Sequence, residues 1–280
     1  MNPFYYVRVR YFLILFIVLS ILDHVAVLYW EQMLHDSAKL FSSIKALCFY
    51  ILPALWLCYE YKRHRIPWSF FVNRKERYKP LHVVGITGGL LVFCYGFFVV
   101  LLYCSSWFTP HFMESPVVKL SEWAEGLKAT NAGAIEFIIV VLLAPVIEEL
   151  LFRGFLFQRF AVKWGTEKAI FAVAILFGSF HADLVGAFAA SIVLSIVYIR
   201  TQSLLMTMSI HFLYNVTLFM TFRVFYENGE EVLKSMQGNT MYLTGAISFM
   251  IGLNFVLIFW FANRRYIGRG APSLHIGRAG

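Results

Sequence analysis

Apolar runs of about 20 residues recur along almost the whole chain, and the polar positions gather in short clusters between them. A run of that length is what a helix needs to cross a bilayer. Hydropathy predicts eight crossings, at about 11–30, 40–59, 81–104, 133–157, 168–182, 184–199, 203–226 and 240–262. The fifth and sixth are short and nearly fused through HADLVG, His181 to Gly186. The segment LLFRGFLFQRFAVKW stays apolar enough to prolong the fourth helix to about Trp164. GTEKAI then supplies a glycine stop and a threonine start, which puts a turn near residue 165. IPWSFFV and SPVVKLSEWAEGL mix apolar and polar residues and read as interfacial segments. The expected fold class is all-α, a polytopic membrane helix bundle with about eight transmembrane helices and a buried polar site. No internal repeat or low-complexity linker divides it, so residues 1–280 read as a single polytopic domain.

Composition sharpens this picture. With 60% hydrophobic and only 14% charged residues, a 280-residue chain has too little polar surface for a soluble domain. The net charge of +8 comes without a nucleic-acid-binding module, so no nucleic-acid partner is expected. Arg8, Arg10, the stretch YKRHRIPWSFFVNRKERYK, Arg159, Lys163, Lys168, Arg200 and the arginines of the tail all fall on one side of the predicted topology. The opposite connections, YENGEEVLKS and MESPVVKLSEWAEGLK, are acidic or mixed. The positive-inside rule then puts both termini and the basic loops in the cytoplasm, and the short loops suggest a bacterial inner membrane. The amino-terminal apolar stretch is long and lacks a small-residue cleavage site, and reads as a first retained span. Cys48, Cys58, Cys94 and Cys104 sit in or at the ends of apolar runs without C-x-x-C spacing. They read as packing residues, with no disulfide framework or zinc site.

Ionisable residues inside a span are costly, and they usually face a bundle interior or a water-filled cavity. Here they concentrate in three spans. The fourth carries Glu136, Glu148, Glu149 and Arg153, the fifth ends in FGSFHAD with His181 and Asp183, and the seventh holds His211 and Asn215. Glu149 and Arg153 are four apart, in the favourable order for an ion pair on one helix face. Glu148 points about 100° away and is left without that arginine. It lies 17 residues before the expected turn, and His181 lies 16 after it, so the two reach nearly equal height on an antiparallel hairpin. His211 and Asn215, also four apart, share a face at a somewhat shallower level.

E-E-x-x-x-R (Glu148, Glu149, Arg153), F-x-x-x-H (Phe177 to His181) and H-x-x-x-N (His211 to Asn215), in that order on successive membrane helices, resemble the motifs of the CAAX protease and bacteriocin-processing enzyme family. That family includes the eukaryotic type II CAAX prenyl endopeptidase and bacterial relatives, some tied to bacteriocin maturation or immunity. The likeness covers about residues 130–220, the catalytic core that it implies. The resemblance implies an intramembrane endopeptidase in which Glu148 is the general base, helped by His181, and His211 with Asn215 stabilises the oxyanion. Glu149 and Arg153 would orient the catalytic glutamate, and Phe177 would pack beneath His181. The chemistry is compatible: a buried carboxylate beside a histidine can take and return a proton, and amide and imidazole N–H groups suit a developing negative charge.

The implied enzyme needs no cofactor. A zinc site remains the alternative, since two histidines and a glutamate suffice as ligands. Its partners would be the lipid bilayer and a peptide or protein substrate, with lipidated or membrane-anchored ones among the candidates. Two other classes use the same residues: a transporter or permease with a polar translocation path, and a non-catalytic partner-binding or immunity protein.

Overall fold

The computed structural model describes residues 4, 6, 8–30, 38–66, 79–108, 137–181, 183–227 and 239–267. Among them the chain is helical, without a strand. The helices are α1 (Val9–Trp30), α2 (Ala38–Arg63), α3 (Pro80–Phe108), a composite rod α4, α5 (Thr166–Ser179), α6 (Leu184–Thr201), α7 (Leu204–Glu227) and α8 (Asn239–Ile267). Each answers to one expected crossing. Residues 133–136 of the fourth, with Glu136, lie outside the described residues, as do the interfacial segments apart from Ile66.

The rod α4 runs through a π turn (Phe137–Leu143), an α segment (Ala144–Leu151), a second π turn (Phe152–Leu156) and a last α segment (Phe157–Trp164). Leu143, Phe152 and Leu156 at the junctions keep right-handed helical backbone, so the rod is continuous. It stops where expected, at Gly165, whose φ of 87° suits a residue without a Cβ. At the other end of α5, Asp183 caps α6 by accepting a hydrogen bond from the Gly186 amide at 2.9 Å. Gln202, in the left-handed region, ends α6.

Among the described residues, four helices contain stretches long and apolar enough to cross a membrane: Pro80–Leu101, Leu184–Thr201, Leu204–Thr221 and Met241–Ile267. The fifth expected crossing is shorter than a full span. With 14 residues, α5 rises about 21 Å against a hydrocarbon core of about 30 Å. His181, just past its end, would therefore lie within the thickness of a bilayer rather than at its far face.

The helix α6 is the most enclosed, with Ser191 to Ile199 all buried. Around it Phe152, Phe155, Phe157, Ile170, Val173 and Phe177 form the main core. Phe155 meets Trp56 of α2 at 4.9 Å between ring centroids. By contrast, α8 turns Leu243, Ile247, Met250, Ile251, Ile258 and Phe261 outward, the pattern of a surface solvated by lipid. The antiparallel pair α3 and α8 is joined through glycine: Gly96 lies against the Phe249 backbone, Gly252 against that of Phe93, and Gly245 against the Val99 side chain. A Cβ at any of them would collide, so absence of a side chain sets how closely the helices approach. The expectation that the cysteines are packing residues holds for Cys94 and is corrected for Cys58 and Cys104. Cys58 and Cys104 are exposed on the bundle surface and only Cys94 is buried, all three as free thiols; the Cys48 side chain lies outside the description.

Candidate active site

Two adjacent glutamates on one turn of α4 face different neighbours. Glu149 is fully buried, and its Oε1 accepts from Arg153 Nη1 at 2.7 Å. Arg153, also without exposure, sends its Nη2 to the Ser191 carbonyl at 3.1 Å and to the Ser191 hydroxyl at 2.9 Å. The guanidinium lies 4.9 Å from the Phe177 ring centroid. The pair spans the junction between the α segment and the second π turn.

Glu149 reaches further than its arginine. The same Oε1 is 3.1 Å from Nδ1 of His211 on α7. The buried ion pair thus contacts His211 directly. A carboxylate beside an arginine can only accept, so His211 Nδ1 carries the hydrogen and Nε2 points into the site. Similarly, Nδ1 of His181 donates to the Phe177 carbonyl at 2.7 Å. The imidazole stacks on the Phe177 ring at 4.3 Å. Phe177 therefore does more than pack beneath His181: its carbonyl sets the tautomer, and its ring meets both His181 and Arg153.

Glu148 is where these arrangements converge. Its Oε2 lies 3.7 Å from His181 Nε2 and 3.8 Å from His211 Nε2, with its side chain 14% exposed. Hairpin arithmetic puts Glu148 and His181 at one height, and the structure brings them together. His211 stands at the same level rather than a shallower one. Both separations exceed direct hydrogen-bond length, the range in which a water bridges polar groups. Among the described residues, the buried Oε2 of Glu148 has no hydrogen-bond partner. Its other oxygen, Oε1, accepts from the Tyr50 hydroxyl of α2 at 3.3 Å.

Asn215, one turn beyond His211, donates from Nδ2 to the Val140 carbonyl at 2.8 Å. Val140 lies in the first π turn, so this bond ties α7 to the segment that leads into the two glutamates. The second hydrogen of the amide stays available to another acceptor. Glu148, His181, His211, Glu149, Arg153 and Phe177 form one connected cluster, with Asn215 held at its edge. Sequence reading missed Tyr50, which stands in no motif and 98 positions from Glu148, and Ser191, a small residue on the buried face of α6. Among the described residues no group of three or more His, Cys, Asp or Glu side chains is arranged to hold a metal ion.

Such a cluster can hold a water between a carboxylate and two ring nitrogens and pass a proton among them. His211 donates from Nε2 only when its ring carries both protons; the Asn215 amide donates in any state.

Part of the chain is similar to known proteins. The family model described as type II CAAX prenyl endopeptidase Rce1-like matches residues 130–217. The UPF0177 protein YaiF of Lactococcus lactis subsp. lactis (strain IL1403) is 32% identical over 85 residues, which are 30% of this chain and 39% of that protein. The chain thus spans well under half the length of this relative. No solved structure matches. With its long apolar helices, the chain is an integral membrane protein. The likeness visible in the three motifs is thereby shown over residues 130–217, a segment that matches the Rce1-like type II CAAX prenyl endopeptidase family.

Proposed function

We propose that the chain is an intramembrane endopeptidase that hydrolyses a peptide bond with a water activated by Glu148. The observation that carries this reading is Glu148 Oε2 at 3.7 and 3.8 Å from the Nε2 atoms of His181 and His211, side chains brought together from α4, the turn after α5 and α7. A water held there loses a proton to Glu148 as its oxygen attacks the carbonyl carbon of the substrate. His181, its tautomer set by the Phe177 carbonyl, offers Nε2 as the acceptor that holds the water and shares its proton. His211 in its doubly protonated state and the free N–H of Asn215 donate to the oxygen on which charge develops. Glu148 then returns the proton to the departing nitrogen as the C–N bond breaks. The side chains balance the protons themselves, and the reaction is proposed to run without a metal.

The ion pair of Glu149 and Arg153 acts through His211. Removing water from the surroundings of such groups strengthens every electrostatic contact among them, and a bilayer interior achieves this by default. The positive-inside pattern supports a site open toward the cytoplasm, with a substrate that is a peptide or protein at the membrane. The family description, a CAAX prenyl endopeptidase, makes a lipidated carboxy-terminal peptide the first substrate to try.

The test is cleavage of an internally quenched, farnesylated CAAX peptide by the full chain in liposomes. Glu148→Ala and His181→Ala are expected to abolish cleavage while the protein still folds and inserts. Retained cleavage in either variant would overturn the assignment.

A further inference from the structure

Two tyrosine hydroxyls on α2 reach the helix that carries Glu148. Tyr50 donates to the Glu148 side chain at 3.3 Å, and Tyr61 donates to the Leu150 carbonyl at 3.0 Å. They are 11 residues apart, about three helical turns, so they project within about 20° of each other along one face. Tyr61 is almost wholly buried and meets backbone at the approach to the second π turn. Tyr50, partly buried, meets the carboxylate itself.

A glutamate carboxylate has two equivalent oxygens and a soft terminal torsion. That torsion leaves the plane of the carboxylate free to turn. The Tyr50 hydroxyl, by donating to Oε1, restrains it with Oε2 toward His181 and His211. Among the described residues Arg153 makes no hydrogen bond to Glu148, since its Nη atoms bond Glu149 and Ser191, and both imidazole Nδ1 atoms are engaged elsewhere.

We propose that Tyr50 is a positioning residue for Glu148, held to it by a hydroxyl–carboxylate hydrogen bond, and that α2 is thereby part of the active site. This rests on the endopeptidase reading above. It adds a residue from outside the segment of 130–217 that matches the family.

Tyr50→Phe removes the hydroxyl and keeps the ring, and Tyr61→Phe is the control on the same helix face. Two readouts separate the questions. The first is infrared difference spectroscopy of the full chain in liposomes, with the Glu148 carboxylate stretch identified as the band lost in Glu148→Gln. That band is expected to shift in Tyr50→Phe and to stay in place in Tyr61→Phe. An unshifted band in Tyr50→Phe, or the same shift in both variants, overturns the proposal. The second is turnover of the quenched farnesylated CAAX peptide. For Tyr50→Phe kcat should fall about tenfold with KM within about twofold, the size expected for one hydrogen bond to a charged group. A rise in KM with unchanged kcat overturns the positioning role. If the wild-type protein does not cleave the peptide, the endopeptidase reading loses its support, and the infrared band alone decides whether Tyr50 holds Glu148.

Discussion

Arg153→Met removes the positive end of an ion pair that has no contact with solvent. In the folded protein Arg153 Nη1 is 2.7 Å from Glu149, its Nη2 makes two further hydrogen bonds to Ser191, and both charged side chains are 0% exposed. Methionine fills much of the volume but leaves the Glu149 carboxylate buried without its cation. Breaking a buried pair from one side costs about 3–5 kcal/mol, because the remaining charge has lost its compensation. Removing both charges is far milder, so Glu149→Gln combined with Arg153→Met should be less destabilised than Arg153→Met alone. Unfolding in mixed micelles, followed by tryptophan fluorescence against rising SDS, gives the free-energy differences. A single variant within about 1 kcal/mol of wild type, or a double variant that loses the full sum of the two singles, would refute the claim that these charges compensate each other.

Other outcomes follow from the same geometry. Glu148→Gln should lose cleavage of the farnesylated peptide yet unfold within about 1 kcal/mol of wild type, whereas Glu149→Gln should be destabilised by about 3 kcal/mol or more. Asn215→Ala should reduce kcat about 10²–10³-fold, the size of one lost oxyanion donor; an unchanged kcat would remove Asn215 from the mechanism. Gly96→Leu, which drives a side chain into the Phe249 backbone, should cost about 1–3 kcal/mol in the micelle assay; the value for wild type would contradict the close approach of α3 and α8. Dialysis against EDTA should leave peptide cleavage unchanged, and a loss restored by zinc would favour the metal alternative.

Much of this was legible in the chain because the membrane simplifies the code. Long apolar runs can only be helices there, so all eight elements could be placed from hydropathy. The glycine at 165 marked a stop that counting could use, and the hairpin arithmetic brought Glu148 and His181 to one level. Other features were hidden for physical reasons. A π turn adds a residue to a helix without a reliable signature, so the two π turns of α4 and the tether of Asn215 to Val140 left no trace. Equal spacing on a helix could pair Glu149 with Arg153, but it could not say that their next contact is His211 rather than Glu148. Gly96 and Gly252 were visible as residues, while their opposing backbones belong to a partner helix more than 140 positions away. Tyr50 was one tyrosine among 15, and only the packing of α2 on α4 sets it apart.

The central claim is that Glu148 makes this chain a protease rather than a carrier or a binding protein. The most direct test compares peptide termini across the membrane proteome of cells that express the wild-type chain or Glu148→Ala at equal levels. The account predicts at least one new carboxy terminus, facing the cytoplasm, that appears with the wild type and vanishes with the variant. Identical termini in both, together with solute flux in proteoliposomes that is lost on Glu148→Gln, would contradict it and assign the same polar cluster to transport.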